Sequence, residues 1–152
     1  MLSFQKILCP TDFSEPSLDG IAYGADLAKR YQAVLSLVHV VPVLPAIRTD
    51  PNYVALVPEY ERALHDDAQR QLDALGKDLA AKGLEVRTIV GHGDPGNEIV
   101  RIAKDEAADI IVIATQGNTG WRHLVFGSVA AKVVRLAQLP VLTVPGAKKE
   151  ST

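Results

Sequence analysis

The sequence predicts an α/β domain in which a parallel five-stranded sheet is covered by helices on both faces. Short apolar runs alternate along the chain with longer segments of helical periodicity, and this alternation is typical of βαβ units with right-handed crossovers. The chain has 152 residues, of which 47% are hydrophobic, and it can therefore bury one core without disulfides or metals. We expect a single domain over residues 1–146, followed by a short polar tail, 147–152.

The N-terminal quarter of the chain contains two predicted strands and one helix. Residues 4–10, FQKILCP, predict strand one, which ends at a proline. We expect Ser14 to cap the following helix. Apolar residues recur on one face of that helix, at Leu18, Ile21, Ala22, Ala25 and Ala28. Residues 33–41, AVLSLVHVV, are apolar and β-branched, which is typical of a central parallel strand.

The middle of the chain predicts a loop, a long helix and a third strand. Prolines mark an irregular connection, at Pro42, Pro45, Pro51 and Pro58. From Glu59 to Lys82, leucine and alanine recur at spacings of three and four, which indicates an amphipathic helix. Gly83 is in C-cap position, and residues 84–90 predict strand three.

The C-terminal third predicts two more helices and two more strands. Asp94 is the expected N-cap of helix three, with Pro95 at its first position. Three apolar residues of this helix are expected to point inward, Ile99, Ile102 and Ala103. Residues 109–115 predict strand four, 127–138 helix four and 140–144 strand five.

Composition argues against several classes of function. Sixteen basic and eighteen acidic side chains leave a formal net charge of −2, without the basic cluster that nucleic acids or anionic membranes attract. The first residues do not resemble a signal peptide, and no apolar run approaches the roughly 20 residues of a membrane span. We therefore expect a cytoplasmic protein that binds neither nucleic acid nor membrane.

The cysteine and histidine content does not indicate a metal site. Cys9 is the single cysteine and is expected to be a small buried apolar residue. The histidines, His39, His65, His92 and His123, share no metal-ligand spacing. His39 is interpreted as a core histidine at the end of strand two rather than as a base. We expect no protein metal site, and any Mg²⁺ would arrive with a phosphate ligand.

Two loops that follow predicted strands are candidates for ligand binding. Residues 9–14, CPTDFS, follow strand one, and residues 115–128 carry three glycines and a serine after strand four. Ligands of open parallel sheets bind beyond the carboxyl ends of the strands, where the strand order reverses. If strands one and four are neighbours, both loops face one crevice.

The residues of these loops have two interpretations each. Gly127 and Ser128 stand where helix four begins, so backbone amides and the helix dipole could bind phosphate; alternatively, the glycines form turns and Ser128 caps the helix. Asp12 could accept hydrogen bonds from ribose hydroxyls, or could be a helix-start residue.

Four segments occur in this order along the chain: PTDFS, LVHVV, GDPGNEIVRIA and ATQGNTGWRHLVFGSVAAKVVRLAQLPVLTVP. Together they resemble the universal stress protein family over nearly the whole chain. The nucleotide-binding branch of that family has a loop of the form G-x2-G-x9-G-[S/T]. Gly117, Gly127 and Ser128 match this pattern, and Ala114 stands in place of its first glycine. If residue 114 needs a positive φ or a close backbone approach to the sugar, the methyl group costs about 1–2 kcal/mol; if it belongs to the strand, alanine costs little.

The resemblance implies a Rossmann-like fold of the adenine nucleotide alpha hydrolase-like type. It further implies a stress-response regulatory module that binds ATP, with AMP or ADP as alternatives, carries Mg²⁺ on the phosphates and hydrolyses ATP slowly or not at all. The implied nucleotide-binding residues are Pro10, Thr11, Asp12, Val40, Ala114, Thr115, Gly117, Asn118, Gly127, Ser128 and Val129. It also implies a homodimer paired through strand 140–144 and an unknown regulatory protein partner. The alternative is a stress-associated interaction protein of the same fold that binds no nucleotide.

Overall fold

The computed structural model describes residues 2–44, 51–116 and 126–146, in which strands and helices alternate. In chain order the elements are β1 (Lys6–Pro10), α1 (Glu15–Tyr31), β2 (Val34–Val41), α2 (Pro51–Ala80), β3 (Val86–His92), α3 (Pro95–Asp105), β4 (Ile110–Ala114), α4 (Ser128–Leu136) and β5 (Val141–Val144). The predicted succession of elements is confirmed.

The strands form one parallel sheet in the order β3-β2-β1-β4-β5. The chain builds outward from β1 to β3 and then returns to place β4 on the other side of β1, where Ile7 pairs with Ile110. Strands one and four are therefore neighbours, which is the condition for both candidate loops to face one crevice. The strand order reverses between them, so the switch point lies at β1 and β4.

Alternate residues of each central strand supply two separate hydrophobic clusters. Ile7 and Leu35 pack with Leu72 under α1 and α2, whereas Leu8 and Ile111 pack under α3 and α4. Successive side chains of a strand point to opposite faces. The apolar runs of β1, β2 and β4 are continuous because both faces of these strands are buried.

Two of the predicted helix starts are confirmed. The Ser14 side chain accepts a hydrogen bond from the backbone N–H of Ser17 at the start of α1, and Asp94 accepts one from Asn97 at the start of α3. In α3 the residues expected to point inward are buried, namely Ile99, Ile102 and Ala103.

The buried face of α1 differs from the prediction. Leu18 is 38% exposed and Ala22 is also exposed. The helix instead packs through small residues, which include Gly20 and Gly24. A Cβ atom at Gly24 would overlap the Cys9 Sγ, so the glycines allow α1 to approach the sheet closely. The predicted face is right for Ile21 and Ala28, which are buried, and wrong for Leu18 and Ala22.

Helix α2 starts earlier than predicted. The proline-rich segment was expected to stay irregular as far as residue 58, but the helix begins at Pro51 and contains Pro58. Proline is tolerated at the first helical position, and Pro58 removes one backbone hydrogen bond from the helix. The buried residues of α2, Ala68, Leu72 and Gly76, all lie in its second half.

The other boundaries shift by a few residues. Helix α2 ends at Ala80, and Gly83, with a φ of 88°, reverses the chain after it. Strand β3 therefore begins at Val86 rather than at residue 84. Strands β1, β4 and β5 and helix α4 are each shorter than predicted. Within the described ranges no helix is long and apolar enough to cross a membrane.

Candidate ligand-binding cleft at the sheet switch point

An open cleft of about 210 Å³ lies at the carboxyl ends of β1, β2 and β4. Every predicted nucleotide-binding residue that the structure describes lines it: Pro10, Thr11, Asp12, Val40, Ala114, Thr115, Gly127, Ser128 and Val129. The remaining two predicted residues, Gly117 and Asn118, lie outside the described residues. The switch point thus brings together positions that are more than 100 residues apart in the chain.

Further residues line the cleft that were not assigned to a site from the sequence. Pro95 and Ile99 come from the first turn and a half of α3, and His39 comes from the end of β2. Helix α3 starts at the same edge of the sheet because β3 is parallel to β2. The predicted start of this helix after strand three could therefore have indicated that Pro95 and Ile99 line the cleft. His39 was interpreted as a core residue, but it is only half-buried.

Asp12 lies in the turn between β1 and α1 and contacts the start of that helix. Its Oδ1 accepts a hydrogen bond of 3.0 Å from the backbone N–H of Ser14, and the Ser14 hydroxyl also donates to it. The helix-start interpretation of Asp12 therefore describes its geometry. Asp12 lines the cleft as well, so the same carboxylate also borders the space that a ligand would occupy.

Thr11 connects this turn to the sheet and to α1. Its backbone N–H donates to the Val38 carbonyl oxygen at 2.8 Å, and its Oγ1 lies 2.8 Å from the Ser17 Oγ. His39 Nδ1 lies 2.8 Å from the Thr11 carbonyl oxygen. This part of the cleft is therefore built from polar groups that are already hydrogen-bonded, with Thr11 and Ser17 buried.

The start of α4 offers backbone donors to the cleft. Gly127 is the N-cap, and no side-chain hydrogen bond caps this helix within the described residues. Ser128 is the first helical residue, so the interpretation of Ser128 as the cap was wrong. The first-turn amides of Ser128, Val129 and Ala130 have no partner inside the helix, and the helix dipole gives them partial positive charge. This end of the cleft can bind an anion.

The glycine at position 127 is needed for a close approach rather than for an unusual backbone conformation. Its φ is −69°, which any residue adopts. Its N–H donates to the Thr115 carbonyl oxygen at 2.5 Å, and an added Cβ would lie 3.2 Å from that same oxygen. The Gly127 amide is therefore engaged with Thr115, and the donors for an anion begin at Ser128.

Ala114 is the last residue of β4 and has a strand conformation. The described non-glycine residues with positive φ are Phe13, Gln32 and Ala107. A Cβ built on Gly20 of α1 would lie 3.6 Å from the Ala114 Cβ, so the methyl group faces α1. Of the two alternatives for this departure from the family pattern, the structure supports the one in which alanine costs little.

A salt bridge joins the two helices that flank the cleft. Lys132 Nζ of α4 lies 2.8 Å from Oδ1 of Asp94, the N-cap of α3. The hydrogen bond from Lys132, together with that from the Asn97 backbone, lowers the pKa of Asp94. The contact links the start of α3 to α4 beside the cleft.

The other described histidines, His65 and His92, and Cys9 do not line the cleft. His65 Nδ1 lies 3.1 Å from His92 Nε2. The sequence did not indicate this contact because the two histidines are 27 residues apart in the chain. Among the described residues no group of three or more histidine, cysteine or acidic side chains could hold a metal, and His123 lies outside that part of the chain. Burial raises the pKa of Cys9 to about 12.

Comparison with known proteins identifies relatives of the whole fold. The sequence model of the universal stress protein family matches residues 3–145. The universal stress protein MJ0531 of Methanocaldococcus jannaschii is 34% identical over 152 residues, which cover 97% of this chain and 85% of that protein. The solved structure of MJ0577 from the same organism superposes with a TM-score of 0.85 at 29% identity, covering 97% of this chain and all of the other.

Two more distant structures share the fold and contain nucleotides. One is a universal stress protein in complex with cAMP, with a TM-score of 0.71 at 20% identity and coverage of 96% of this chain and all of the other. The other is an Arabidopsis thaliana protein of the family with AMP bound, with a TM-score of 0.67 at 18% identity and coverage of 97% and 95%. From the family match and the 34% identical relative, we conclude that this chain belongs to the universal stress protein family.

Proposed function

We propose that the chain is a regulatory module that binds ATP, with AMP or ADP as alternatives, at the switch-point cleft. The observation that carries this proposal is the convergence of two complementary groups at one cleft. The Asp12 carboxylate lies on the β1 side of the cleft. The first-turn amides of α4 lie on the other side, and among the described residues no side chain caps them. A nucleotide has ribose hydroxyls for the first group and phosphates for the second.

The walls between these two groups suit an adenine base. Val40 lies at the end of β2, and Ile99 and Ile113 come from α3 and β4. Apolar walls with a few polar groups at fixed positions are typical of small-molecule sites. In the proposed complex the backbone at Val40 contacts the adenine edge, and Mg²⁺ arrives bound to the phosphates. The cAMP and AMP found in two proteins of the same fold support a nucleotide as the ligand class.

Hydrolysis in this cleft is expected to be slow or absent. Of the described residues that line it, Asp12 and His39 have titratable side chains. Each is engaged in the β1–α1 turn, Asp12 with Ser14 and His39 with Thr11. Efficient phosphoryl transfer also needs placed cations and metal-binding carboxylates. We therefore propose turnover far below the median enzyme rate of about 10 s⁻¹.

A second candidate function is an interaction protein of the same fold that binds no nucleotide. Two contacts favour it, because each explains a candidate residue without a ligand. Asp12 stabilises the start of α1 through Ser14, and Gly127 permits the close approach to Thr115. Nucleotide binding remains the better proposal because neither contact accounts for the absence of a side-chain cap on α4 among the described residues.

The decisive experiment separates phosphate binding from folding. Ser128→Glu places a carboxylate among the α4 amides, where it suits the helix dipole but repels phosphate. We expect this variant to keep its thermal midpoint and to lose ATP affinity by at least about tenfold, equal to about 1.4 kcal/mol. Ala131→Glu is the matched control, since Ala131 is exposed on the next turn of α4 and should bind ATP like the wild type.

Two further measurements complete this test. Mass spectrometry of ligand released from freshly purified, denatured protein should identify an adenine nucleotide. Asp12→Ala should weaken ATP binding in calorimetry by about 1.5–3 kcal/mol through loss of charge-assisted hydrogen bonds. Wild-type protein that binds no ATP at millimolar concentration would leave the interaction-protein candidate in its place.

The proposed assembly is a homodimer paired through strand 140–144, acting on a regulatory protein partner in the cytoplasm, where adenine nucleotides are abundant. The position of β5 at the edge of the sheet supports the pairing, because an edge strand presents unpaired backbone groups. Leu142 of β5 is 37% exposed, and Val134 and Leu136 of α4 are also exposed. A second copy would cover these apolar side chains.

A further inference from the structure

The backbone of Phe13 has a conformation that aromatic residues rarely adopt. Its φ is 65°, in the left-handed region, which a bulky residue occupies only when surrounding contacts hold it there. Phe13 directly follows Asp12, so the turn that contains this unfavourable backbone also sets the direction of the Asp12 carboxylate. Contacts that hold Phe13 in place therefore also orient Asp12.

His39, near the end of β2, contacts this turn on both sides of Asp12. Its Nδ1 lies 2.8 Å from the Thr11 carbonyl oxygen, and because a carbonyl oxygen only accepts, Nδ1 is the donor. The His39 ring lies 4.6 Å from the Phe13 ring, with an angle of 30° between the two planes. One side chain thus holds the residue before Asp12 and the residue after it.

A separate set of hydrogen bonds joins the turn to α1 without His39. The Phe13 N–H donates to Thr11 Oγ1 at 2.9 Å, and the Ser14 N–H donates to Asp12 Oδ1 at 3.0 Å. These bonds can persist when His39 is replaced. We therefore expect replacement of His39 to change the orientation of the turn while leaving α1 folded.

We propose that His39 is a positioning residue for ribose recognition, an inference that rests on the proposed nucleotide-binding function. Through the Thr11 carbonyl and the Phe13 ring, His39 directs the Asp12 carboxylate at the ribose hydroxyls of a bound nucleotide. Asp12 makes the contact with the ligand, and His39 acts through it. Ribose recognition then depends on β2 as well as on β1.

The test compares ATP with 2′,3′-dideoxyATP, which lacks both ribose hydroxyls, in calorimetric titrations. Wild-type protein should bind ATP more tightly than the dideoxy analogue. His39→Leu should weaken ATP binding by about tenfold and bring the ratio of the two dissociation constants close to unity. A general loss of structure would weaken both nucleotides alike and leave the ratio unchanged, which would overturn the proposal.

Conservative variants provide a second comparison. His39→Asn places an amide N–H near the position of Nδ1 and should retain part of the preference for ATP. Phe13→Leu keeps an apolar side chain but removes the aromatic contact, and should lose part of it. These two variants decide the question if circular dichroism shows that His39→Leu does not fold. A preference unchanged in both would overturn the proposal.

A double-mutant cycle separates an indirect role from direct contact with the ligand. If His39 acts through Asp12, the variant that combines Asp12→Ala with His39→Leu should bind ATP no more weakly than Asp12→Ala alone. Additive losses would show that His39 touches the nucleotide itself, and the positioning role would be wrong. If ATP binding by the wild type is weakened by Asp12→Ala but not by His39→Leu, the proposed function stands and this inference fails. A wild type that binds neither nucleotide overturns both.

Discussion

Replacing Ala114 with glycine restores the first glycine of the family's nucleotide loop, and the structure predicts that this change lowers stability without improving binding. Ala114 is 7% exposed in β4, and its methyl group packs toward Gly20 of α1. Loss of a buried methyl costs about 0.8 kcal/mol, and the added backbone freedom in a strand costs roughly 0.5–1 kcal/mol. The free energy of unfolding should therefore fall by about 1–2 kcal/mol.

The affinity of Ala114→Gly for ATP should equal that of the wild type. The residue does not need the positive φ that only glycine adopts readily, and its methyl group faces the helix. Urea denaturation measures the first effect and isothermal titration calorimetry the second. Ala74→Gly is the control: Ala74 is exposed in the middle of α2, and glycine there costs about 1 kcal/mol far from the cleft.

One result would refute this reasoning. If Ala114→Gly binds ATP about tenfold or more tightly than the wild type, a gain of about 1.4 kcal/mol, while Ala74→Gly does not, the methyl group obstructs the ligand. The interpretation of residue 114 as an ordinary strand residue would then be wrong.

Three other predictions concern packing, pH dependence and assembly. Gly24→Ala should destabilise the fold by about 1–3 kcal/mol, because its Cβ would overlap the Cys9 sulfur, and adding Cys9→Ala should recover part of this loss in urea denaturation; a double variant no more stable than Gly24→Ala would contradict the overlap. The hydrogen bond from Lys132 lowers the pKa of Asp94, so this carboxylate stabilises the fold above its ordinary pKa and the contribution is lost as the pH falls through the lowered pKa. The thermal midpoint of the wild type should accordingly exceed that of Asp94→Asn at pH 7, and a difference that persists well below pH of about 4 would count against the salt bridge. Thr143→Pro should give a monomer in light scattering, because alternation in β5 directs the Thr143 N–H away from β4, and an unchanged dimer would place the interface elsewhere.

The choice of Thr143 follows from the ladder between β4 and β5. The Pro140 and Val144 carbonyl oxygens accept hydrogen bonds from Ile111 and Thr115, so even-numbered residues of β5 direct their backbone groups toward β4. Leu142 shares this orientation. Proline at Leu142 would therefore break the sheet itself, whereas proline at Thr143 removes a donor from the open edge.

The order of elements could be predicted from sequence because periodicity and caps are local. Ser14 and Asp94 were found as caps from their residue type and position, and both accept the expected hydrogen bonds. Periodicity found Ile21 and Ala28 on the buried face of α1 but missed Gly20 and Gly24, which are buried for their lack of a side chain. The start of α2 was missed because prolines normally mark the end of a helix or a loop. Here Pro51 begins the helix and Pro58 lies within it.

The candidate site was predicted as a set of positions but not as a set of contacts. Asp12 and Ser128 could be placed at one crevice once β1 and β4 were assumed to be neighbours. The hydrogen bond from the Gly127 amide to Thr115 depends on how the start of α4 packs against the end of β4, which no local sequence pattern specifies. His39 was taken for a core residue for the same reason, since its partners Thr11 and Phe13 belong to another strand and its turn.

The burial of Cys9 makes the reactivity of its thiol a measure of unfolding. The chain has one cysteine, fully enclosed between β1 and α1, and its raised pKa leaves almost no thiolate at neutral pH. A thiol reagent can reach this sulfur only when the core around it opens, because Cys9 is fully buried and burial suppresses the reactive thiolate. The rate of modification therefore counts openings of the central core, and a ligand that binds the folded state should slow that rate in proportion to its occupancy.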